Sequence, residues 1–390
     1  MENNPKKVRI LSFHHIPNSG AFLFAYSLQN IFKHGFQGFD VKLLNYKSKR
    51  LAAYEYAKRY KFLQKIPLFY FRRAQMWNEQ IQSFLDVDTE LPYFSGEKSL
   101  QQLFAKKYDA LVVGMDVWCI TQGTERPKFP NIYWLPEKTN IPKIAYGVSA
   151  YESDPNLIQR SSKEIGEYLD GFDVIGARDS FTYQMIRDLR NRKGGIVEHI
   201  PDPAFLYEVG GTQVAEKLRS AGLDLTRPIL GLLMFGNKKL SAEIRAQYKA
   251  RGYQIVALNM YNSAADFNLG HILTPFEWAE AFRYLSFCIT DRFHGSIFCL
   301  KNKTPFVGLE YKQSLPRSQS KLFDLLGSFG FESLYFNQID ENFKTEHFLF
   351  HADEVKNAWQ SSFAPHIDRQ IETRKQAHFD FMAKIKDQIS

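Results

Sequence analysis

The chain has 390 residues, of which 44% are hydrophobic and 24% charged. This composition is typical of globular proteins and excludes a disordered or fibrous one, and the length predicts two domains of roughly 150 to 200 residues. No apolar run approaches the roughly 18 residues that a membrane-spanning helix needs, and residues 1–13 lack the apolar core of a signal peptide. We therefore expect a cytoplasmic protein.

The net charge of +8 indicates an anionic partner. Much of the excess lies in residues 42–77, where basic and aromatic residues alternate and Glu55 is the acid among them. This mixture suits the headgroup region of a membrane, and it also suits single-stranded nucleic acid or a solvated helical hairpin. Because no nucleic-acid-binding signature accompanies the segment, we expect peripheral contact with a membrane surface and no nucleic acid.

The strand and helix patterns begin with a strand at 7–13, a helix at 21–32 and a strand at 39–45, a βαβ start. Further strands are predicted at 110–114, 143–149 and 173–177, with a helix at 157–169. These strands are almost continuously apolar, which is typical of a parallel sheet buried on both faces.

The alternation restarts after residues 192–195 and predicts a second set of strands, at 196–200, 229–234, 254–258, 286–290 and 305–309. The helices between them are predicted at 214–221, 240–250, 275–284, 294–301 and 318–326. The expected fold is α/β, with two doubly wound Rossmann-like domains facing across a cleft, at 1–190 and 191–350. Residues 351–390 read as a terminal helix that packs back on the first domain.

The stretch with most chemical information follows the strand at 286–290. Arg292, His294 and the first amides of a helix, including those of Gly295 and Ser296, are predicted to meet at the carboxyl end of that strand. A guanidinium and a helix N-terminus together can hold an anion, and a histidine beside it can transfer a proton. The alternative is that Arg292 pairs with Asp291 and His294 only caps the helix.

Three other strand-to-helix loops carry polar residues of interest. Asn18 and Gly20 lie in the first one, after His14 and His15, where they can cap a helix or contact a ligand. Arg178 follows the strand at 173–177 and can bind an anion or be neutralised by Asp179. A fourth loop, residues 199–203, displays Asp202 between two prolines.

Several classes of site are disfavoured. There is no GxGxxG or Walker loop, and the three cysteines show no metal or disulfide spacing, so we expect buried thiols at Cys119, Cys288 and Cys299. The acidic string 86–88 is similar to the DxD of metal-dependent sugar transferases, but it follows a helix, and we interpret it as surface acid. No metal or other cofactor is expected.

Taken in order, the motifs resemble those of the polysaccharide pyruvyl transferase family from Ile10 to about Leu326. The matching segments are 18–21 with 25–29, 113–118, 145–149, 177–179, 202–203, 290–295, 305–309 and 319–322. The resemblance implies a fold like that of the two-domain GT-B glycosyltransferases. It also implies transfer of pyruvate from phosphoenolpyruvate to two sugar hydroxyls as a cyclic ketal, in capsule or exopolysaccharide synthesis.

The resemblance implies a role for each motif residue. Arg178 and Arg292 would anchor the two anionic groups of phosphoenolpyruvate with help from the amides of Gly295 and Ser296, and His294 would be the acid and base, with Arg292 beside it. The acceptor sugar would contact four residues, Asn18, Gly20, Asp116 and Trp118, with Trp118 or Tyr151 stacking on its ring. The expected acceptor is a lipid-diphosphate-linked oligosaccharide at the inner membrane face.

Two other classes of function remain open on the sequence. A nucleotide-sugar glycosyltransferase of the same architecture would bind UDP or GDP. A non-catalytic protein that binds anionic polymers would owe its binding to the net charge alone, and its binding would depend steeply on salt.

Overall fold

The structure is a computed structural model that describes residues 5–47, 67–89, 103, 108–122, 128–136, 140–234, 237–310, 320–340 and 342–389. The chain forms two compact units. The first comprises Met1–Pro17, Phe24–Leu206 and Arg374–Ser390, and the second comprises Asn18–Leu23 and Tyr207–Thr373. Each unit is built on one parallel β-sheet.

The first unit contains a seven-stranded sheet in the order β3-β2-β1-β4-β5-β6-β7. Its strands are β1 (Lys7–Leu11), β2 (Asp40–Leu44), β3 (Val87–Asp88), β4 (Ala110–Met115), β5 (Lys143–Val148), β6 (Val174–Ala177) and β7 (Ile196–His199). Its helices between strands are α1 (Ser19–Gly35), α2 (Pro67–Phe84), α3 (Pro155–Arg160), α4 (Ser162–Asp170) and α5 (Ser180–Leu189). Every residue of β4, β5 and β6 is buried, which confirms the parallel sheet that the continuous apolar runs predict.

The second unit contains a six-stranded sheet in the order β10-β9-β8-β11-β12-β13. Its strands are β8 (Ile229–Leu233), β9 (Gln254–Ala257), β10 (Phe267–Asn268), β11 (Phe287–Thr290), β12 (Phe306–Glu310) and β13 (Tyr335–Asn337). Its helices are α6 (Val214–Ser220), α7 (Lys238–Ala250), α8 (Pro275–Ala281), α9 (Phe293–Lys301), α10 (Lys321–Gly327) and α11 (Thr345–Ala358). The two-residue and three-residue strands β3, β10 and β13 are too short for a periodicity argument and are absent from the sequence prediction.

Both sheets are doubly wound, and each reverses its strand order at one place. In the first sheet the reversal lies between β1 and β4, and in the second between β8 and β11. Loops that leave the carboxyl ends of such a strand pair run in opposite directions and leave a crevice where ligands bind. The fold therefore marks one candidate crevice in each unit.

The predicted boundary at residue 190 is wrong. Strand β7 pairs in parallel with β6, and the first unit continues to Leu206. The glycines that read as a restart instead form the turn from α5 to β7. Both have positive φ, 93° at Gly194 and 74° at Gly195, and a side chain at Gly195 would meet the Asp173 carbonyl oxygen at 2.7 Å.

The carboxyl-terminal residues 345–389 form one continuous helical run with a π-helical segment inside it. Helix α11 leads through a π-helical segment, Trp359–Phe363, into α12 (Ala364–Ile389). Residues from Arg374 onwards group with the first unit, where the His378 ring stacks on Tyr146 with centroids 5.8 Å apart. In the part of the chain that the structure describes, no helix is both long and apolar enough to span a bilayer.

Candidate functional site

The turn between β11 and α9 holds the motif that the sequence analysis singled out. The Thr290 hydroxyl accepts a hydrogen bond from the Arg292 amide at 2.9 Å, and the Asp291 amide donates to the Leu233 carbonyl of β8 at 3.1 Å. These two bonds fix the chain as it leaves the strand. Arg292 consequently stands at the N-cap of α9, on the carboxyl edge of the sheet.

A small recess opens at this edge, and the Arg292 side chain forms part of its wall. The recess is lined by Leu232, Leu233, Met234, Ala257, Asn259, Met260 and Arg292. These residues belong to the carboxyl ends of β8 and β9 and to the N-cap of α9, beside the reversal point of the second sheet. The one cation in this lining is thus placed where doubly wound folds bind ligands.

Arg292 makes the ion pair that the sequence analysis raised as an alternative. Its Nε lies 2.6 Å from Asp291 Oδ1, and its Nη2 donates to Asp291 Oδ2 at 3.4 Å. A guanidinium carries five N–H donors, so this fork occupies one edge and fixes the plane of the group. The Arg292 side chain stays 38% exposed, so the ion pair orients the guanidinium without burying it.

One of the two expected backbone anion ligands, Ser296, is engaged within the helix instead. Ser296 is fully buried, its amide donates to the Arg292 carbonyl at 2.9 Å, and its hydroxyl donates to the same oxygen at 3.3 Å. Its predicted role as a donor ligand is therefore wrong. Gly295 is buried too, and a side chain there would meet Thr290 Oγ1 at 2.8 Å, so the glycine allows the turn to close.

His294 and Gly20 are neighbours although 274 positions separate their numbers in the sequence. A Cβ at Gly20 would lie less than 3.0 Å from three atoms of the His294 side chain, closer than real Cβ atoms approach. Asn18 accepts hydrogen bonds from the amides of Gly20 and Ala21, at 3.1 and 3.3 Å, and so caps α1. The second unit thus brings together the first loop and the histidine that the motifs predicted.

Arg178 does not lie in an open site. Its side chain is fully buried, with Nη1 2.5 Å from Asp202 Oδ2 and Nη2 in contact with Asp116. Burial by itself would lower the pKa of Arg178, but Asp116 and Asp202 outweigh it and the pKa is raised. In this structure Arg178 ties together the segments that follow β4, β6 and β7, while Asp179 caps α5. Its predicted donor-binding role stays a prediction.

The expected acceptor residues Asp116 and Trp118 are also engaged. Asp116 is an ion-pair partner of the buried arginine. Trp118 is completely buried, stacks on Trp134 at 4.9 Å and donates its indole N–H to the Tyr133 carbonyl at 3.0 Å. Tyr151 is 1% exposed. Stacking of Trp118 or Tyr151 on a sugar ring is therefore excluded in this conformation, and both side chains are core.

The acidic string 86–88 is only partly surface acid. Asp86 is exposed and pairs with Lys33, whereas Asp88 is buried and pairs with the buried Arg9. Asp88 lies in β3, so the interpretation of the whole string as surface acid is wrong for this residue.

The structure's described residues hold no group of three or more histidines, cysteines and acids that could bind a metal. All three cysteines are buried thiols.

Only the ends of the basic segment 42–77 are described, because residues 48–66 lie outside the described ranges. In α2, Phe69 and Trp77 are buried, while Leu68 and Phe71 on the opposite side are 57% and 67% exposed. Arg72 is exposed next to them. The start of α2 therefore combines apolar side chains and a cation at the surface.

The structure places at the two crevices several residues to which the sequence motifs assign no role. Met234, Asn259 and Met260 line the recess of the second unit. His14 and His15 follow β1 at the reversal point of the first sheet. Their position directly after predicted strands was a usable signal, because strand ends in parallel sheets are the usual place for ligand-binding groups.

The two doubly wound parallel sheets define a protein with the GT-B type of fold. Solved structures with this similarity include UDP-N-acetylglucosamine 2-epimerase from Rickettsia bellii, with a TM-score of 0.55, 10% identity and coverage of 99% of this chain and 97% of that one. The enzyme from Methanocaldococcus jannaschii in complex with UDP-GlcNAc and UDP has a TM-score of 0.53, 9% identity and coverage of 90% and 93%. At such identities the likeness shows the fold alone.

The sequence itself gives the family. The model of the polysaccharide pyruvyl transferase family matches residues 18–313, and the chain belongs to that family of transferases. No curated protein matches the sequence significantly. The matched region runs from Asn18 through the Arg292 and His294 motif, so it includes the residues that meet in the second unit.

Proposed function

We propose that the protein transfers pyruvate from phosphoenolpyruvate to two hydroxyls of a sugar and forms a cyclic ketal. The observation that carries this proposal is the arrangement at the start of α9. The oriented Arg292 guanidinium lines a recess at the strand ends, and His294, two residues further on, packs against the capped loop at Gly20.

The donor carries a phosphate and a carboxylate, and the second unit offers groups for an anion of this kind. Arg292 supplies a planar fork that matches either group. Helix α9 begins at Phe293, and its first amides and positive dipole end point toward the same edge of the sheet. Two carboxylates engage Arg178 in this structure, so we assign the donor to Arg292 and the start of α9 rather than to two arginines.

The proton balance of the reaction needs one group that both gives and takes a proton. In the proposed first step, His294 as imidazolium gives a proton to C3 of phosphoenolpyruvate while a sugar hydroxyl oxygen bonds to C2 and passes its proton to the imidazole. In the second step the other hydroxyl oxygen bonds to C2, the C2–O bond to phosphate breaks, and that hydroxyl proton leaves with the phosphate. His294 ends in its starting state, as a catalyst must.

We further propose that the acceptor is an oligosaccharide on a lipid diphosphate carrier in capsule or exopolysaccharide synthesis, and that the protein meets it at the inner membrane face. The exposed Leu68 and Phe71 beside Arg72 support contact with an anionic lipid surface, because apolar groups enter the headgroup boundary while cations meet phosphates. The proposal requires no metal ion.

The test is to incubate the protein with phosphoenolpyruvate and a galactoside or an N-acetylmannosaminide, and to measure released phosphate together with acid-labile ketal. We expect His294→Gln to lower kcat by about 10² to 10⁴ while phosphoenolpyruvate still binds. Arg292→Met should instead weaken phosphoenolpyruvate binding. His366→Gln, at an exposed histidine of α12, is the matched control and should behave as wild type.

Three results would contradict the proposal. Phosphate release without a ketal would exclude pyruvyl transfer to the acceptor. Equal ketal yields from wild type and His294→Gln would exclude the proton-transfer scheme. Tight binding of UDP or GDP without turnover of phosphoenolpyruvate would favour a nucleotide-sugar glycosyltransferase.

A further inference from the structure

The reversal point of the first sheet carries a buried histidine, His14, and a partly exposed one, His15, whose roles the proposed donor chemistry leaves open. His14 and His15 follow β1, and β1 lies between β2 and β4 at the place where the strand order reverses. Across this point, Met115 at the end of β4 has φ 91°, a conformation that non-glycine residues rarely adopt and that clusters at functional sites. The first unit thus has a crevice position of its own.

The hydrogen-bond geometry defines the state of His14. Its Nδ1 lies 3.3 Å from the Ser12 carbonyl oxygen, and because a carbonyl oxygen can only accept, Nδ1 carries the hydrogen. Burial lowers the pKa of His14 to about 4, so the ring is neutral near pH 7. The His14 ring meets the His15 ring edge to face, with centroids 5.6 Å apart, and holds it in place.

His15 is the unusual member of the pair. Both of its ring nitrogens are buried, and neither has a hydrogen-bond partner among the residues that the structure describes. Burial first, and then the neighbouring His14 and Lys47, lower its pKa well below the ordinary value. A folded chain rarely keeps a buried imidazole with neither nitrogen bonded, because water is lost and nothing replaces it.

The chemistry of a neutral imidazole selects the kind of group that can bind it. One nitrogen donates a hydrogen bond and the other accepts one. A sugar hydroxyl can also do both, whereas a phosphate or carboxylate oxygen can only accept. An uncharged hydroxyl can therefore bond either nitrogen of His15, whereas an anion such as the donor can bond only the nitrogen that carries the hydrogen.

We propose that His15, held by His14 at the carboxyl end of β1, binds a hydroxyl of the acceptor sugar. This inference rests on the proposed function, since it assigns the acceptor of the same reaction. It assigns the acceptor contact to His15 instead of Trp118 and Asp116, whose side chains are engaged with other residues of the protein. His15 lies at the same carboxyl edge of the sheet as these two residues.

The test compares His15→Phe, His15→Gln and the control His366→Gln in three measurements. These are the thermal midpoint, saturation-transfer NMR with methyl β-D-galactopyranoside and with a methyl N-acetylmannosaminide in the absence of phosphoenolpyruvate, and the KM values for acceptor and donor. His15→Phe removes both nitrogens and keeps a ring of similar size, whereas His15→Gln keeps one donor and one acceptor.

We expect His15→Phe to leave Tm unchanged or to raise it by about 2 to 4 °C, since an unbonded buried polar group is replaced by an apolar one. The NMR signal should be lost, and the acceptor KM should rise at least about 10-fold with the donor KM unchanged. His15→Gln should lie between wild type and His15→Phe in acceptor KM.

A clear fall in Tm for His15→Phe would show a structural histidine and overturn the inference. So would wild-type sugar binding in His15→Phe, or an unchanged acceptor KM in His15→Gln. If wild type turns over no phosphoenolpyruvate, the proposed function fails, while the NMR measurement still tests sugar binding at His15. If wild type forms ketal and the His15 variants share its acceptor KM, this inference alone fails.

Discussion

A buried histidine on the last helix makes the first unit sensitive to acid. The His378 ring is fully buried, and its Nε2 lies 3.3 Å from the Asp202 carbonyl oxygen, which can only accept. Nε2 therefore carries the hydrogen, and Nδ1 accepts from the Tyr146 hydroxyl at 3.0 Å. Burial lowers the pKa of His378 from 6.5 to about 4, so the neutral ring is the one that fits.

The size and sign of the effect follow from that shift. A drop in pKa from 6.5 to about 4, at about 1.4 kcal/mol per unit, corresponds to about 3 kcal/mol of unfolding free energy. The unfolded chain binds a proton at a higher pH than the folded chain does. This stability is therefore fully present above pH 6.5 and is lost as the pH falls toward 4.

The assay compares wild type, His378→Gln and the control His366→Gln by urea unfolding at about pH 7 and about pH 4.5. Unfolding is monitored by hydrogen exchange of the peptide that contains β5. Between these two pH values wild type and the control should lose about 2 kcal/mol more than His378→Gln does, because the full loss of about 3 kcal/mol is reached only below pH 4. His14, also with a pKa of about 4, contributes equally to all three and cancels in the comparison. Equal losses in the three proteins, or an NMR titration of His378 near its ordinary pKa in the folded chain, would refute the reasoning.

Three further outcomes are expected. Gly20→Ala should lower kcat by about 10²-fold with phosphoenolpyruvate binding retained, because its Cβ displaces the His294 imidazole at the start of α9. A wild-type kcat would contradict the packing of Gly20 against His294. Arg178→Met should cost about 3 to 5 kcal/mol in urea unfolding, since it leaves two carboxylates without their cation, and a loss under about 1 kcal/mol would contradict the buried ion-pair network. Replacing Leu68 and Phe71 by serine should weaken cosedimentation with phosphatidylglycerol vesicles by about tenfold or more. The control Phe350→Ser, at a side chain that is 68% exposed elsewhere, should bind like wild type. Equal binding of wild type, the double variant and the control would exclude α2 from the membrane contact.

The two sheets and most of their elements could be predicted from local pattern. Strands buried on both faces are continuously apolar, so β4, β5 and β8 are visible in the sequence within a residue or two of their ends. The two-unit organisation could be predicted for the same reason. The boundary could not, because Gly194 and Gly195 form a turn inside one sheet that has the same local composition as a linker between two.

The motif positions at strand ends were equally readable, but their roles depended on contacts between distant segments. An arginine after a strand has the same sequence signature whether it faces a ligand or two carboxylates. Arg292 and Arg178 therefore looked alike, and only the approach of Asp116 and Asp202 made Arg178 part of the core. Trp118 was assigned to a sugar and is stacked on Trp134 for the same reason.

By itself the sequence determined the fold class, the family motifs and the strand ends at which polar residues collect, because these depend on residues close together in the chain. Tertiary structure decided which of those residues stay accessible and which meet. It brought Gly20 to His294, gave Arg178 its two carboxylates and left the nitrogens of His15 buried without a hydrogen bond among the described residues. Burial and long-range pairing set the charge state and the availability of a side chain, and neither is encoded in its immediate neighbours.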